Sequence, residues 1–134
     1  MGDEMTTSLI TSFYAVPIAI LYLVLTFRVI SVRRRNAVAL GDGGNPVLLR
    51  RIRAQGNLTE YAPLILVLML MGELQGASAL LLHAIGIALL AGRTLHAFGI
   101  SQAREDIRLR AAGMVLTLTA IAVAALIAVL PGVI

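Results

Sequence analysis

Residues 51–72 read RIRAQGNLTEYAPLILVLMLMG, and this stretch decides how many membrane helices the chain can build. Its second half, from Tyr61 to Gly72, contains no Asp, Glu or Arg. A helix that crosses a bilayer needs about 20 predominantly apolar residues, so this half alone is too short. The segment reaches spanning length only if the polar half before it, with Arg53 and Glu60, belongs to the same helix. The sequence therefore predicts a membrane helix that carries charged side chains into the bilayer.

The composition of the whole chain is that of a membrane protein. Of the 134 residues, 59% are hydrophobic, and the mean hydropathy is +0.92. A soluble domain of this size needs more polar residues to cover its surface. The start, MGDEM, lacks the basic region of a cleaved signal peptide, so we interpret the first apolar segment as a retained span. The chain has no cysteine, which excludes a disulfide framework and a thiol nucleophile of its own.

We expect an all-α integral membrane protein, in which residues 1–134 form one four-transmembrane-helix bundle. The predicted spans cover approximately residues 8–34, 46–72, 79–99 and 108–130. Asn45 followed by Pro46 provides an N-cap and a proline in the first turn, a pattern typical of a helix start. The pair Pro131-Gly132 is expected to end the fourth span.

The distribution of charge predicts an orientation. Arginines flank the first and third connections, whereas the opposite side holds Asp3, Glu4 and Glu73. Loops rich in arginine stay in the cytoplasm, so both termini are expected on the non-cytoplasmic side of a bacterial inner membrane. Membrane lipid is then a partner, and because topology explains the basic charge we expect no nucleic-acid partner. Nothing in the sequence indicates a metal.

Four polar residues of the second span share one helical stripe. Arg50, Arg53, Asn57 and Glu60 are spaced three, four and three residues apart. Charged groups within a membrane span usually face a cavity or one another, because exposing them to lipid is costly. The stripe therefore predicts a polar wall inside the bundle.

The third and fourth spans contribute to the same level of the membrane. Arg93 and His96 lie three residues apart and share a face. Counted from the outer helix ends, Glu60 and Arg93 lie roughly 18 and 21 Å deep, and Arg110 follows near the cytoplasmic mouth. We predict an arginine-rich pocket that is open to the cytoplasm, with a self-neutralising structural pair as the alternative for Glu60 and Arg93. Such a pocket suits a small ligand with carboxylates and an ammonium group, and it would favour the thiolate form of a thiol.

The stretch RAQGNLTEYAPL at 53–64 resembles the second-helix signature of the MAPEG family, the membrane-associated proteins in eicosanoid and glutathione metabolism. The first-helix ending VISVRRR at 29–35 is also similar to that of the family, and the resemblance covers essentially the whole chain. The positions of the second-helix signature that match are Arg53, Ala54, Gln55, Asn57, Glu60, Tyr61 and Pro63.

This resemblance implies a homotrimer that binds glutathione, as a cosubstrate, between neighbouring subunits. The thiol-activating arginine at the start of the fourth span would be Arg110 or, as a second choice, Arg108. Its guanidinium would stabilise the thiolate, which then attacks a lipophilic electrophile. Ile100 stands where several members place a ligand-contacting tyrosine, which favours a general glutathione transferase or peroxidase of microsomal type over an eicosanoid synthase. The implied glutathione-binding residues, together with Arg93 from the depth argument, are Arg53, Gln55, Asn57, Glu60, Tyr61, His96, Arg33 and Arg34.

Two other functions fit the sequence. One is a non-catalytic glutathione-binding or structural membrane protein of the same fold. The other is a small multidrug transporter, which would keep Glu60 ionisable to exchange protons for cations. The arginines on the Glu60 stripe favour an anionic ligand instead, and the strong arginine bias argues against dual-topology insertion.

Overall fold

A computed structural model describes residues 9–130, and these form four long helices. They are α1 (Ile10–Asn36), α2 (Pro46–Leu74), α3 (Ala79–Ser101) and α4 (Ile107–Val129). Each helix is long and apolar enough to cross a membrane, and residues 9–130 contain no strand. The predicted all-α four-helix membrane bundle is therefore confirmed. Ser8 and the acidic pair Asp3 and Glu4 lie outside the described residues, as does Pro131-Gly132.

Local sequence sets the starts of α2 and α4. The Asn45 side chain accepts hydrogen bonds from the backbone N–H groups of Val47 (2.9 Å) and Leu48 (3.1 Å), and α2 begins at the following proline. Asp106 caps α4 in the same way. These oxygens satisfy donors that a helix N-terminus otherwise leaves without partners.

The start of α1 depends on another helix. Leu9 at its N-cap has no side-chain oxygen, and the carboxylate of Glu73 accepts hydrogen bonds from the N–H groups of Ile10 and Thr11 instead. A carboxylate is favourable there because the N-terminus of a helix carries partial positive charge. Glu73, near the end of α2, thereby fixes α1 against the rest of the bundle.

The closest helix packing joins α3 to α4 through glycine. A Cβ atom added at Gly113 would lie 2.6 Å from the carbonyl oxygen of Gly92 and 2.8 Å from the backbone nitrogen of His96. The two backbones therefore touch directly, as small residues permit in membrane bundles. Within the described residues, α1 packs against α2 and α3 and does not reach α4. Asn57 of α2, Arg93 of α3 and Thr117 of α4 consequently meet on the inner side of the bundle.

Candidate functional site

Arg93 is the centre of a buried polar network that joins α2, α3 and α4. The residue is 2% exposed, and its Nε donates to Thr117 Oγ1 at 2.9 Å. One terminal nitrogen, Nη1, donates to Asn57 Oδ1, and the other, Nη2, donates to the carbonyl oxygen of Gly113 at 3.4 Å. The guanidinium carbon lies 5.2 Å from the centre of the Tyr61 ring, which adds a cation–π contact. Among residues 9–130, all these partners are neutral.

The predicted structural pair between Glu60 and Arg93 is therefore wrong. Glu60 Oε1 lies 3.8 Å from Arg53 Nη1, two helical turns earlier on the same stripe of α2. The side chains of Arg53 and Glu60 are 54% and 52% exposed, whereas Arg93 points inward to acceptors on α2 and α4. The position of Arg53 beside Glu60 also weakens the transporter alternative, because a transported cation would meet the positive charge of that arginine.

Arg53 of α2 and Arg110 of α4 line one cavity of about 320 Å³. This volume lies at the lower end of the range for small-molecule pockets. Arg110 forms an ion pair with Glu105 through Nη1, while its Nε is buried without a hydrogen-bond partner. The lining contains three arginines and one carboxylate, so it carries net positive charge. The remaining lining residues are Leu49, Arg50, Ile100 and Ala103.

Gly99 explains how Arg110 reaches this cavity. A Cβ at Gly99 would lie 3.0 Å from both the Arg110 nitrogen and the Asp106 oxygen, so the first turn of α4 packs directly on the end of α3. The Asp106 N–H also donates to the Gly99 carbonyl at 3.1 Å. Arg108, the second candidate for thiol activation, lines a different cavity in the α3–α4 connection with Arg104 and Asp106. The structure thus separates the two candidate arginines.

Apart from Arg53 and Arg110, the predicted site residues do not line this cavity. Gln55 Nε2 donates to Thr26 Oγ1 of α1 at 2.7 Å. Arg33 donates to the Gly41 carbonyl at 2.7 Å and so fixes the α1–α2 connection, while Arg34 lines a groove on α1. His96 is 4% exposed and packs against Gly113, beside the Arg93 network.

Sequence reasoning missed two residues that shape the site. Thr117 accepts the Arg93 Nε–H group, and the available signal was a hydroxyl in the apolar part of a membrane span, because such hydroxyls hydrogen-bond across helices. Glu105 forms an ion pair with Arg110 from the connection before α4. No spacing rule indicated this pair, since it depends on the conformation of that connection.

Comparison with known proteins places this arrangement in a family. The model of the MAPEG family matches residues 11–130, which includes the whole α2 signature. The chain belongs to the MAPEG family. Inner membrane protein YecN of Escherichia coli (strain K12) is 43% identical over 91 residues, which are 68% of this chain and 70% of that protein. YecN of Escherichia coli O6:H1 (strain CFT073) matches to the same extent.

The comparisons confirm the resemblance seen in the sequence. Four apolar helices and relatives in the E. coli inner membrane support a multi-pass bacterial inner membrane protein for this MAPEG chain. Of the matched residues of the α2 signature, Arg53 lines the Arg110 cavity, and Ile100 of α3 lines that cavity as well.

Proposed function

We propose that this MAPEG protein is a membrane-embedded glutathione transferase that works as a homotrimer. It would activate the glutathione thiolate for attack on lipophilic electrophiles. A peroxidase reaction would use the same thiolate. The observation that carries this proposal is the shared cavity, in which three arginines face one carboxylate and Arg110 keeps a buried Nε donor without a partner.

The cavity arginines suit the charges of glutathione. Guanidiniums bind carboxylates through two parallel N–H bonds, so Arg50 and Arg53 would hold the two carboxylates of the tripeptide. The Arg53–Glu60 and Arg110–Glu105 pairs are both partly exposed. Exposed ion pairs contribute little to stability, so an anionic ligand can replace the carboxylate on either arginine.

Arg110 is the residue we assign to the thiol. A guanidinium beside a thiol lowers its pKa and stabilises the thiolate. The thiol gives its proton to water, the thiolate sulfur then forms a bond to the electrophilic carbon, and the leaving group departs with the electron pair of the bond that breaks. Holding the thiolate and a membrane-dissolved electrophile in one site lowers the entropic part of the barrier.

Arg93 acts on the site through its neighbours in this proposal. Its bond to Asn57 Oδ1 leaves the Asn57 Nδ2 as the amide donor available to a ligand carboxylate. The same guanidinium lies over the Tyr61 ring, 5.2 Å from its centre, and so contacts a second residue of the α2 signature. The predicted role of Arg93 as a direct glutathione ligand is therefore revised to that of a positioning residue.

The proposed trimer is supported by residues that match the family pattern but do not line the cavity of their own chain. Gln55, Arg33 and Arg34 match the family pattern, but Gln55 contacts Thr26 of α1, and the two arginines belong to the last turn of α1. A neighbouring subunit would add such residues to the cavity if glutathione binds between subunits. The α1 surface available for such packing is apolar, with Phe13 71% and Val16 60% exposed.

Glutathione binding without chemistry is the second candidate. The residues that line the cavity include no Ser, Thr or Tyr, and by the family resemblance Ile100 takes the place of a ligand-contacting tyrosine. A site of this kind binds an anion but has no hydroxyl to donate to a leaving group or peroxide.

Ultraviolet absorbance of the thiolate tests both candidates. Detergent-purified protein would be titrated with glutathione, comparing the wild type with Arg110→Ala and with the matched control Arg108→Ala. We expect a saturable thiolate signal that Arg110→Ala loses and Arg108→Ala keeps, while Arg53→Ala weakens binding measured by calorimetry. Binding without thiolate in the wild type would favour the non-catalytic candidate, and no binding at all would overturn the proposal.

A further inference from the structure

A second arginine-lined groove lies between α1 and α2 at the end of the bundle that carries their connection. Its volume is about 490 Å³, and it shares no residue with the Arg53–Arg110 cavity. We call it the α1–α2 groove. It is lined by Val24, Phe27, Arg28, Ser31, Val32, Arg35 and Arg51.

The α1–α2 groove carries positive charge without compensation. Arg28 and Arg35 lie two turns apart on α1, and Arg51 faces them from α2. No acidic residue lines the groove, and the ion pairs among residues 9–130 involve Arg53 and Arg110 instead. Three guanidiniums without a carboxylate indicate an anionic occupant, because an anion between them would offset the repulsion of their like charges.

The depth of the groove indicates what the anion is attached to. Arg28 lies roughly 27 Å along α1 from Ile10, close to the thickness of the hydrocarbon core. Arg35 lies about 10 Å further toward the helix end. Deeper in the membrane the lining becomes apolar, and Val24 and Phe27 are 49% and 64% exposed. The groove therefore presents charge at the interface and an apolar surface directly beneath it.

We propose that the α1–α2 groove binds a phospholipid with an anionic head group. The phosphodiester would accept hydrogen bonds from Arg28, Arg35 and Arg51, with the Ser31 hydroxyl as a further donor. An acyl chain would then lie along Phe27 and Val24. The apolar half of the groove favours a lipid over a free phosphate ion, because a phosphate ion has no acyl chain to cover that surface.

Native mass spectrometry of the full chain with added lipid tests this site. The probes are phosphatidylglycerol and, as the zwitterionic comparison with no net charge, phosphatidylcholine. The double variant Arg28→Gln/Arg51→Gln would be compared with Arg104→Gln/Arg108→Gln. The control removes the same charge from the α3–α4 connection, where Glu105 and Asp106 accompany the arginines. Melting temperatures in detergent establish that both variants are folded.

We expect the groove variant to bind phosphatidylglycerol about tenfold more weakly, with the control close to wild type, because the variant loses two of the three guanidiniums that attract the anionic head group. Equal losses in both variants would overturn the proposal in favour of general surface charge. Displacement of the lipid by inorganic phosphate would show a free-anion site, and displacement by glutathione would make the groove part of the thiol site. Because the proposal does not require glutathione binding, it can fail or hold independently of the proposed function.

Discussion

Arg93 and Arg110 lie on adjacent helices but have opposite surroundings. Arg93 is 2% exposed and its partners among residues 9–130 are neutral oxygens, a sulfur and an aromatic ring. Arg110 is partly exposed and pairs with Glu105. A buried charge is tolerated only when its hydrogen bonds are satisfied, whereas an exposed pair contributes little to stability and exchanges easily. Arg93 therefore holds α2, α3 and α4 together, whereas Arg110 belongs to a partly exposed ion pair that the proposed anionic ligand would displace.

The largest effect should follow from Arg93→Ala. This change removes the guanidinium from between α2, α3 and α4 and leaves Asn57 Oδ1 and Thr117 Oγ1 without their donor. The cavity and the lost hydrogen bonds together should lower the free energy of unfolding by about 3 kcal/mol or more. Thermal unfolding in detergent measures this loss, with the exposed Arg104→Ala as control. Equal melting temperatures for the two variants would contradict the structural role of Arg93.

A smaller loss should follow from Gly113→Ala, which tests the backbone contact that brings Arg93 to its acceptors. The new methyl group would meet the Gly92 oxygen at 2.6 Å and the His96 nitrogen at 2.8 Å, and neither backbone atom can rotate away. Separating α3 from α4 should cost about 1–3 kcal/mol of stability. The matched control is Gly56→Ala on α2, where the nearest atom is Glu60 Oε1 at 4.0 Å.

The control should behave in the opposite way to Gly113→Ala. Alanine in the middle of a helix is about 0.5–1 kcal/mol more favourable than glycine, so Gly56→Ala should keep or raise the melting temperature. Equal destabilisation by both substitutions would contradict the claim that the close α3–α4 contact at Gly113 stabilises the bundle.

The comparison of Arg93 with Arg110 also shows which features of the structure could be predicted from the sequence. The helices could be predicted because apolar length and capping are local, as at Asn45 and Pro46. The placement of Arg53 and Glu60 on one stripe followed from spacing alone, and the structure pairs them.

The partners of Arg93 and Arg110 could not be predicted in the same way. Thr117 and Gly113 reach Arg93 only because α3 and α4 cross at two glycines, and no periodicity reports that crossing. Glu105 reaches Arg110 through the conformation of the α3–α4 connection. Contacts that depend on the crossing of helices or the path of a loop need the three-dimensional structure.

The smallest effect should follow from Glu105→Gln, which removes the carboxylate that competes with a ligand for Arg110. An exposed pair is worth less than about 1 kcal/mol, so stability should barely change and glutathione affinity should rise by about twofold to fivefold. Calorimetry measures the gain, and the gain should shrink at high salt because the competition is electrostatic. Combining Glu105→Gln with Arg110→Ala should abolish it, since the carboxylate then has no arginine to compete for. A fall in affinity for the single variant would mean that Glu105 binds the ammonium group of the ligand, which would make it part of the binding site.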